Sequence, residues 1–197
     1  MTDRDLLSAL EPVVRALEGL GVRHFVGGSL ASAAHGVPRA SIDADLIAEL
    51  APEHVTPFLA RLGDAYYADE ERARQAIRAR SSFNLIHLET MFKVDLFVAK
   101  GRAFDREAMA RARRQALDDR PEAQPFLLAT PEDTVLAKLE WFRAGGEVSE
   151  RQWADVVGVL KTNWAALDQG YLDRWAADLE VADLLARARA EARPEAE

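Results

Sequence analysis

Cysteine is absent from the sequence. That excludes a disulfide framework, thiolate catalysis and any zinc site built on sulfur. Histidine is scarce. His24, His35, His54 and His87 show no His-x-x-x-His spacing, so a histidine-rich metal centre is not expected. No apolar run approaches the ~18 residues of a membrane span. The opening MTDRDLLSAL is acidic and amphipathic, without the basic and apolar regions of a signal peptide. The expectation is a soluble, cytoplasmic protein with no membrane partner. Positive charge is also short: 25 Lys and Arg against 33 Asp and Glu give a net charge of −8. Non-specific nucleic-acid binders draw affinity from neutralising phosphates, and the chain as a whole is not one of them.

What is present is ordinary globular composition. The 197 residues are 49% hydrophobic, 29% charged and 8% aromatic. Disorder and collagen-like structure are excluded, and the length fits one domain with or without a small appendage. The charge is uneven. Residues 61–120 hold 13 Lys and Arg against 10 Asp and Glu, concentrated from Arg72 to Arg80 and from Lys93 to Arg114.

Periodicity gives a coarse layout. Leu6, Leu7, Leu10, Val13, Val14, Leu17 and Leu20 make residues 3–20 an amphipathic helix, stopped at Gly21. Residues 22–28 read as a strand ending in two glycines, and Ser29 as the N-cap of a short helix. Residues 41–50 alternate as a strand. A helix is expected over 53–62 and a charged helix or loop over 69–80. Residues 82–89 and 91–99 form a tight hairpin at Thr90. A charged helix follows over 104–116, then a strand in PFLLA (125–129). Helices are expected over 131–144, 149–163 and 168–190, the last in one or two pieces. The expected class is α/β (α+β), a mixed sheet flanked by helices and followed by a C-terminal helical segment. The expected division is a core over 1–128 and the helical segment over 129–197.

Three features of residues 26–46 and 92–97 carry chemistry. Gly27-Gly28-Ser29 follows a strand and opens a helix, where close backbone approach and unpaired N–H groups suit a phosphate. Asp43 and Asp45 stand two apart on a strand and point to one face. Asp95 lies in a second, otherwise apolar strand and shares its face with Lys93 and Phe97. Three carboxylates converging on adjacent strands repel one another unless a cation joins them. Oxygen ligands without histidine or cysteine select Mg²⁺ or Mn²⁺. The combination points to metal-assisted phosphoryl or nucleotidyl transfer.

Gly-Gly-Ser, then Asp43-x-Asp45, then an aspartate in a later strand resembles the DNA polymerase β-like nucleotidyltransferase superfamily. HGVPRASIDADL looks most like the AbiEii-type and related minimal nucleotidyltransferases, and residues 130–160 are similar to the helices after the core in that group. The resemblance spans about residues 22–160. It implies an enzyme that moves an NMP from an NTP to an RNA (such as tRNA), protein or small-molecule acceptor. It also implies the role of toxin beside an antitoxin partner. By the same resemblance, Gly27, Gly28 and Ser29 hold the triphosphate, and Asp43 and Asp45 bind the metals. Asp95 completes the metal site and orients or serves as the base. Lys138 stands near the phosphates, and Asp155 matches an acidic position of the last shared helix. Thirteen residues separate Ser29 from Asp43, more than in the smallest members. That loop, through Gly36 and Pro38, makes Arg39 a candidate for the nucleotide site.

Plainer roles stand beside these. Gly27-Gly28-Ser29 alone is a turn, and Asp43 and Asp45 alone suit a solvated edge strand. Lys138 can pair with Glu140 or Glu132, and Asp155 with Arg151. His35 suits a helix end, the four tryptophans suit helix packing, and the basic patches suit solvated faces. The alternative function is a catalytically inactive nucleotide-binding or protein-interaction module of the same fold. A phosphohydrolase is a more distant third.

Overall fold

A computed structural model describes residues 3–36, 43–117 and 125–193. Contacts divide it into two compact units. One holds the described residues through Leu30 and then those from Asp43 to Leu128; the other holds Ala31 to Gly36 and everything from Ala129 onward.

The first unit begins with α1 (Asp3–Glu18), β1 (His24–Val26) and the start of α2 (Gly28–Ala34). It continues with β2 (Asp43–Ala48), α3 (Val55–Leu62), β3 (Tyr66–Tyr67), α4 (Glu70–Ala79), β4 (Ser82–His87) and β5 (Phe92–Val98). It ends with α5 (Ala103–Arg111), β6 (Arg113–Gln115) and β7 (Phe126–Leu128). The strands form one seven-stranded mixed sheet in the order β3-β4-β5-β2-β1-β7-β6. The β2–β5 and β1–β7 pairs are parallel and the other pairs antiparallel.

Alternation decides the two faces of this sheet. Ala44, Leu46 and Ala48 of β2 and Phe92, Val94, Leu96 and Val98 of β5 are buried on one of them. Against that face lies α1, whose Leu6, Leu7, Leu10, Val13, Val14 and Leu17 are all buried and which contacts both strands. The opposite face of β2 and β5 carries Asp43, Asp45, Lys93 and Asp95, each half-buried.

In the second unit lie α6 (Pro131–Ala144), α7 (Glu150–Asn163), α8 (Gln169–Asp178) and α9 (Ala182–Ala192). Three of these helices start at side-chain caps, Thr130, Ser149 and Asp168, each accepting a backbone N–H of the first turn. Tyr171 Oη donates to Asp133 Oδ1 at 2.5 Å and Thr130 Oγ1 to Asp133 Oδ2 at 2.7 Å, which ties α8 to the start of α6.

The structure differs from some local expectations and chooses between the options left by others. The short helix begins at Gly28, so Ser29 lies inside its first turn and not at its cap. Residues 70–79 are helical, and Asp69 caps the segment by accepting the Arg72 N–H at 3.0 Å. The helix expected over 104–116 ends at Arg111. Ala112 turns to an extended conformation (φ −50°, ψ 139°), and Arg113–Gln115 pair with β7. The hairpin turn takes four residues, 88–91, with Met91 at φ +56°. The segment 168–190 breaks in two, with Glu180 at φ +57° after α8.

Candidate active site

The parallel pairing of β2 with β5 sets Asp45 directly opposite Asp95 and Asp43 directly opposite Lys93. Neighbouring strands are about 4.8 Å apart, so four charged side chains crowd one small patch. Lys93 Nζ lies 2.6 Å from Asp95 Oδ2 and 3.9 Å from Asp43 Oδ2. The Asp95 carboxylate, accepting its hydrogen bond, holds the Lys93 ammonium above its ordinary pKa, against the opposing effect of burial. The charges of Asp95, Asp43 and Asp45 add to the rise.

Gly27 and Gly28 press against the same patch. The Gly27 N–H donates to the Asp45 carbonyl at 2.9 Å, extending the β1–β2 pairing by one bond. Gly28 adopts φ +55°, and a Cβ there would stand 1.7 Å from Asp45 Oδ2. Only a glycine lets the turn touch the carboxylate. Ser29 and Ser32 are buried in the helix behind it.

On the far side of Asp95, Asn84 of β4 is its directly opposite neighbour. An open groove of about 420 Å³ lies there, with Asp95, Asn84, Ser82, Arg72 and Gln75 among its lining residues. The sheet thus sets out a row: groove, Asp95, Asp45 with Asp43, then the glycine turn.

The donors of these residues are hard oxygens on one face, and the Gly28 backbone leaves Asp45 room that a side chain would fill, so the donor chemistry fits Mg²⁺ or Mn²⁺. Among the described residues no three acidic or histidine side chains close on one point as a metal's ligands do. Among the described residues, the Lys93 ammonium is a cation that both Asp43 and Asp95 face.

Comparison with solved structures gives matches along nearly the whole chain, among them two nucleotidyltransferase-like proteins. The antibiotic-resistance factor ANT(2'')-Ia, solved in solution, is 14% identical, with 96% of this chain and 98% of that one covered at a TM-score of 0.56. An antigenic nucleotidyltransferase-like protein from Paracoccidioides brasiliensis is 14% identical, covering 96% and 94% at a TM-score of 0.55. The fold is nucleotidyltransferase-like. No protein-family model matches the sequence, and no curated protein matches it.

Asp43, Asp45 and Asp95 share one face beside Gly27 and Gly28. Arg39 lies outside the described residues. Lys138 is buried in the second unit, where its Nζ meets Asp155 Oδ2 at 2.7 Å. This pair links α6 to α7. The basic patches are interleaved with acids: Arg74 pairs with Glu70, Arg78 with Glu71, Arg102 with Asp105 and Arg114 with Glu18. Of the tryptophans, Trp153 and Trp175 are buried, while Trp141 is 52% exposed. His35 follows α2, and its Nε2 hydrogen-bonds with the Ala129 carbonyl at 2.7 Å.

Sequence reasoning placed Lys93 on the face of Asp95 but assigned it nothing. Its position two residues before Asp95 was the available signal. Asn84, Arg72 and Gln75 had no signal of their own, because only the hairpin register and the packing of α4 bring them to Asp95.

Proposed function

We propose that the chain is a divalent-metal-dependent nucleotidyltransferase that moves an NMP from an NTP to a hydroxyl-bearing acceptor. The observation that carries this is the register of Asp45 against Asp95, with Asp43 on the same face and Gly28 packed on the Asp45 carboxylate. The glycine turn and the start of α2 receive the triphosphate through backbone N–H groups. Asp43, Asp45 and Asp95 are the residues that hold Mg²⁺ or Mn²⁺, which supplies Lewis-acid stabilisation of charge around the reacting phosphate. Asp95 borders the groove from which the acceptor approaches and takes the acceptor's hydroxyl proton. The acceptor oxygen bonds to the α-phosphorus as that atom's bond to the bridging oxygen breaks. The bond's electron pair leaves with pyrophosphate.

The resemblance to AbiEii-type proteins extends the proposal to a toxin held in check by an antitoxin partner. RNA and protein are then favoured acceptors. Arg39, in the loop before Asp43, and Lys138 are proposed as further contacts to the nucleotide. Incubation with α-labelled NTP, Mg²⁺ and total cellular RNA or protein is the direct test. Labelled acceptor and released pyrophosphate are expected, and both disappear in Asp45→Asn and Asp95→Asn. Undiminished transfer in both variants rejects the mechanism, and orthophosphate as the product points to a hydrolase instead.

One observation favours the second reading, an inactive nucleotide-binding module: the Lys93 ammonium sits on Asp95 and Asp43. Metal-dependent NTP binding without labelled product on any acceptor fraction would support it.

A further inference from the structure

Lys93 is a charged residue of the site that the proposed reaction leaves without a task. Alternation on β5 puts it on the face of Asp95, and the parallel register puts it opposite Asp43. Its four-carbon stem brings the ammonium to both carboxylates, at 2.6 Å and 3.9 Å. Three carboxylates on neighbouring strands repel one another, and the repulsion acts on the β2–β5 pairing that holds the middle of the sheet. A built-in cation relieves it.

We infer that Lys93 is the resident counter-ion of this carboxylate cluster, and that a divalent cation binds only by displacing its ammonium from Asp43 and Asp95. The inference rests on the metal-binding reading of the three aspartates given above. It follows from charge and space. An ammonium and a divalent ion on the same oxygens are like charges in contact, so one excludes the other. The exchange makes the bare metal a weak ligand. The negative phosphates of a nucleotide favour the exchange, because they bring further oxygens to the ion and offer the released ammonium another anion. The cluster therefore stays closed to stray cations and opens to the metal–nucleotide complex.

The test is binding of Mn²⁺ without nucleotide, followed by loss of the free-ion electron paramagnetic resonance signal. Wild type is compared with Lys93→Met, Lys93→Arg and Asp45→Asn. Lys93→Met is expected to bind Mn²⁺ about tenfold more tightly than wild type, since it removes a competing charge-assisted hydrogen bond. Its melting temperature without metal falls, and Mn²⁺ raises it by more than in wild type. Lys93→Arg keeps the charge and is expected to bind like wild type, which separates charge from simple loss of packing. Asp45→Asn weakens binding in all cases. Equal or weaker Mn²⁺ binding by Lys93→Met, with wild type binding measurably and Asp45→Asn not, overturns the inference and leaves the metal site standing. Lack of Mn²⁺ binding by every variant, Lys93→Met included, overturns both.

Discussion

Gly28 is the residue where backbone and chemistry meet. With φ at +55° and a would-be Cβ 1.7 Å from Asp45 Oδ2, Gly28→Ala must both strain the turn and push the carboxylate away. The expected cost is about 1–3 kcal/mol of stability, with loss of metal-dependent nucleotide binding; chemical denaturation and an NTP-binding isotherm check the two effects. A second residue reports on the core. Burial pushes the Tyr66 hydroxyl up to about 12, from an ordinary value near 10. Its Oη donates to the Ala9 carbonyl of α1 at 2.8 Å. Between about pH 10 and 12 the unfolded chain ionises this group while the folded chain keeps it neutral, so stability falls as pH rises through that window. Tyr66→Phe is expected to be less stable than wild type at pH 8, by roughly 0.5–1.5 kcal/mol for the lost hydrogen bond. The gap should narrow as pH approaches 12, which denaturation curves across that range measure.

At the scale of elements, α6 and α7 are joined by Lys138 and Asp155, both buried and 2.7 Å apart. Removing one partner takes from the other its buried counter-charge. Asp155→Asn or Lys138→Met is therefore expected to cost about 3–5 kcal/mol, and Lys138→Met with Asp155→Leu to recover most of it. Transfer activity of that double variant separates the roles: retained activity makes the pair structural, and lost activity in a stable protein keeps Lys138 at the nucleotide. The lysine and the aspartate were both noticed in the sequence, but their mutual pairing was not, because 17 positions and a helix–helix turn separate them. Long elements were legible for a different reason. The leucines and valines of α1 recur at helical spacing and all end up buried. Short edge strands were not legible. β6 is Arg-Arg-Gln with all three residues exposed, and β3 is two tyrosines, so neither carries a hydrophobic pattern. Their strand state comes from the backbone groups that β7 and β4 offer them.

For the whole molecule, the proposed function makes stability depend on ligand. Mg²⁺–NTP at a hundred times its dissociation constant adds about 2.7 kcal/mol to the native state by mass action. For a chain of 197 residues that is a melting shift of roughly 5–10 °C. Thermal melts should show it in wild type and lose it in Asp45→Asn.

Composition, alternation and motif spacing determined much from the sequence alone. They set a mixed α/β chain, the helices and strands long enough to show a period, and the three aspartates together with the glycine turn as the candidate site. This was legible because a strand's two-residue period fixes which side chains share a face before any partner strand is known. Only the tertiary structure decided the rest: Asp45 against Asp95, Lys93 on the carboxylates, Asn84 and Arg72 at the groove, and Lys138 turned to Asp155. Each of these depends on strand register or helix packing between distant segments, and single-strand periodicity carries no information about either.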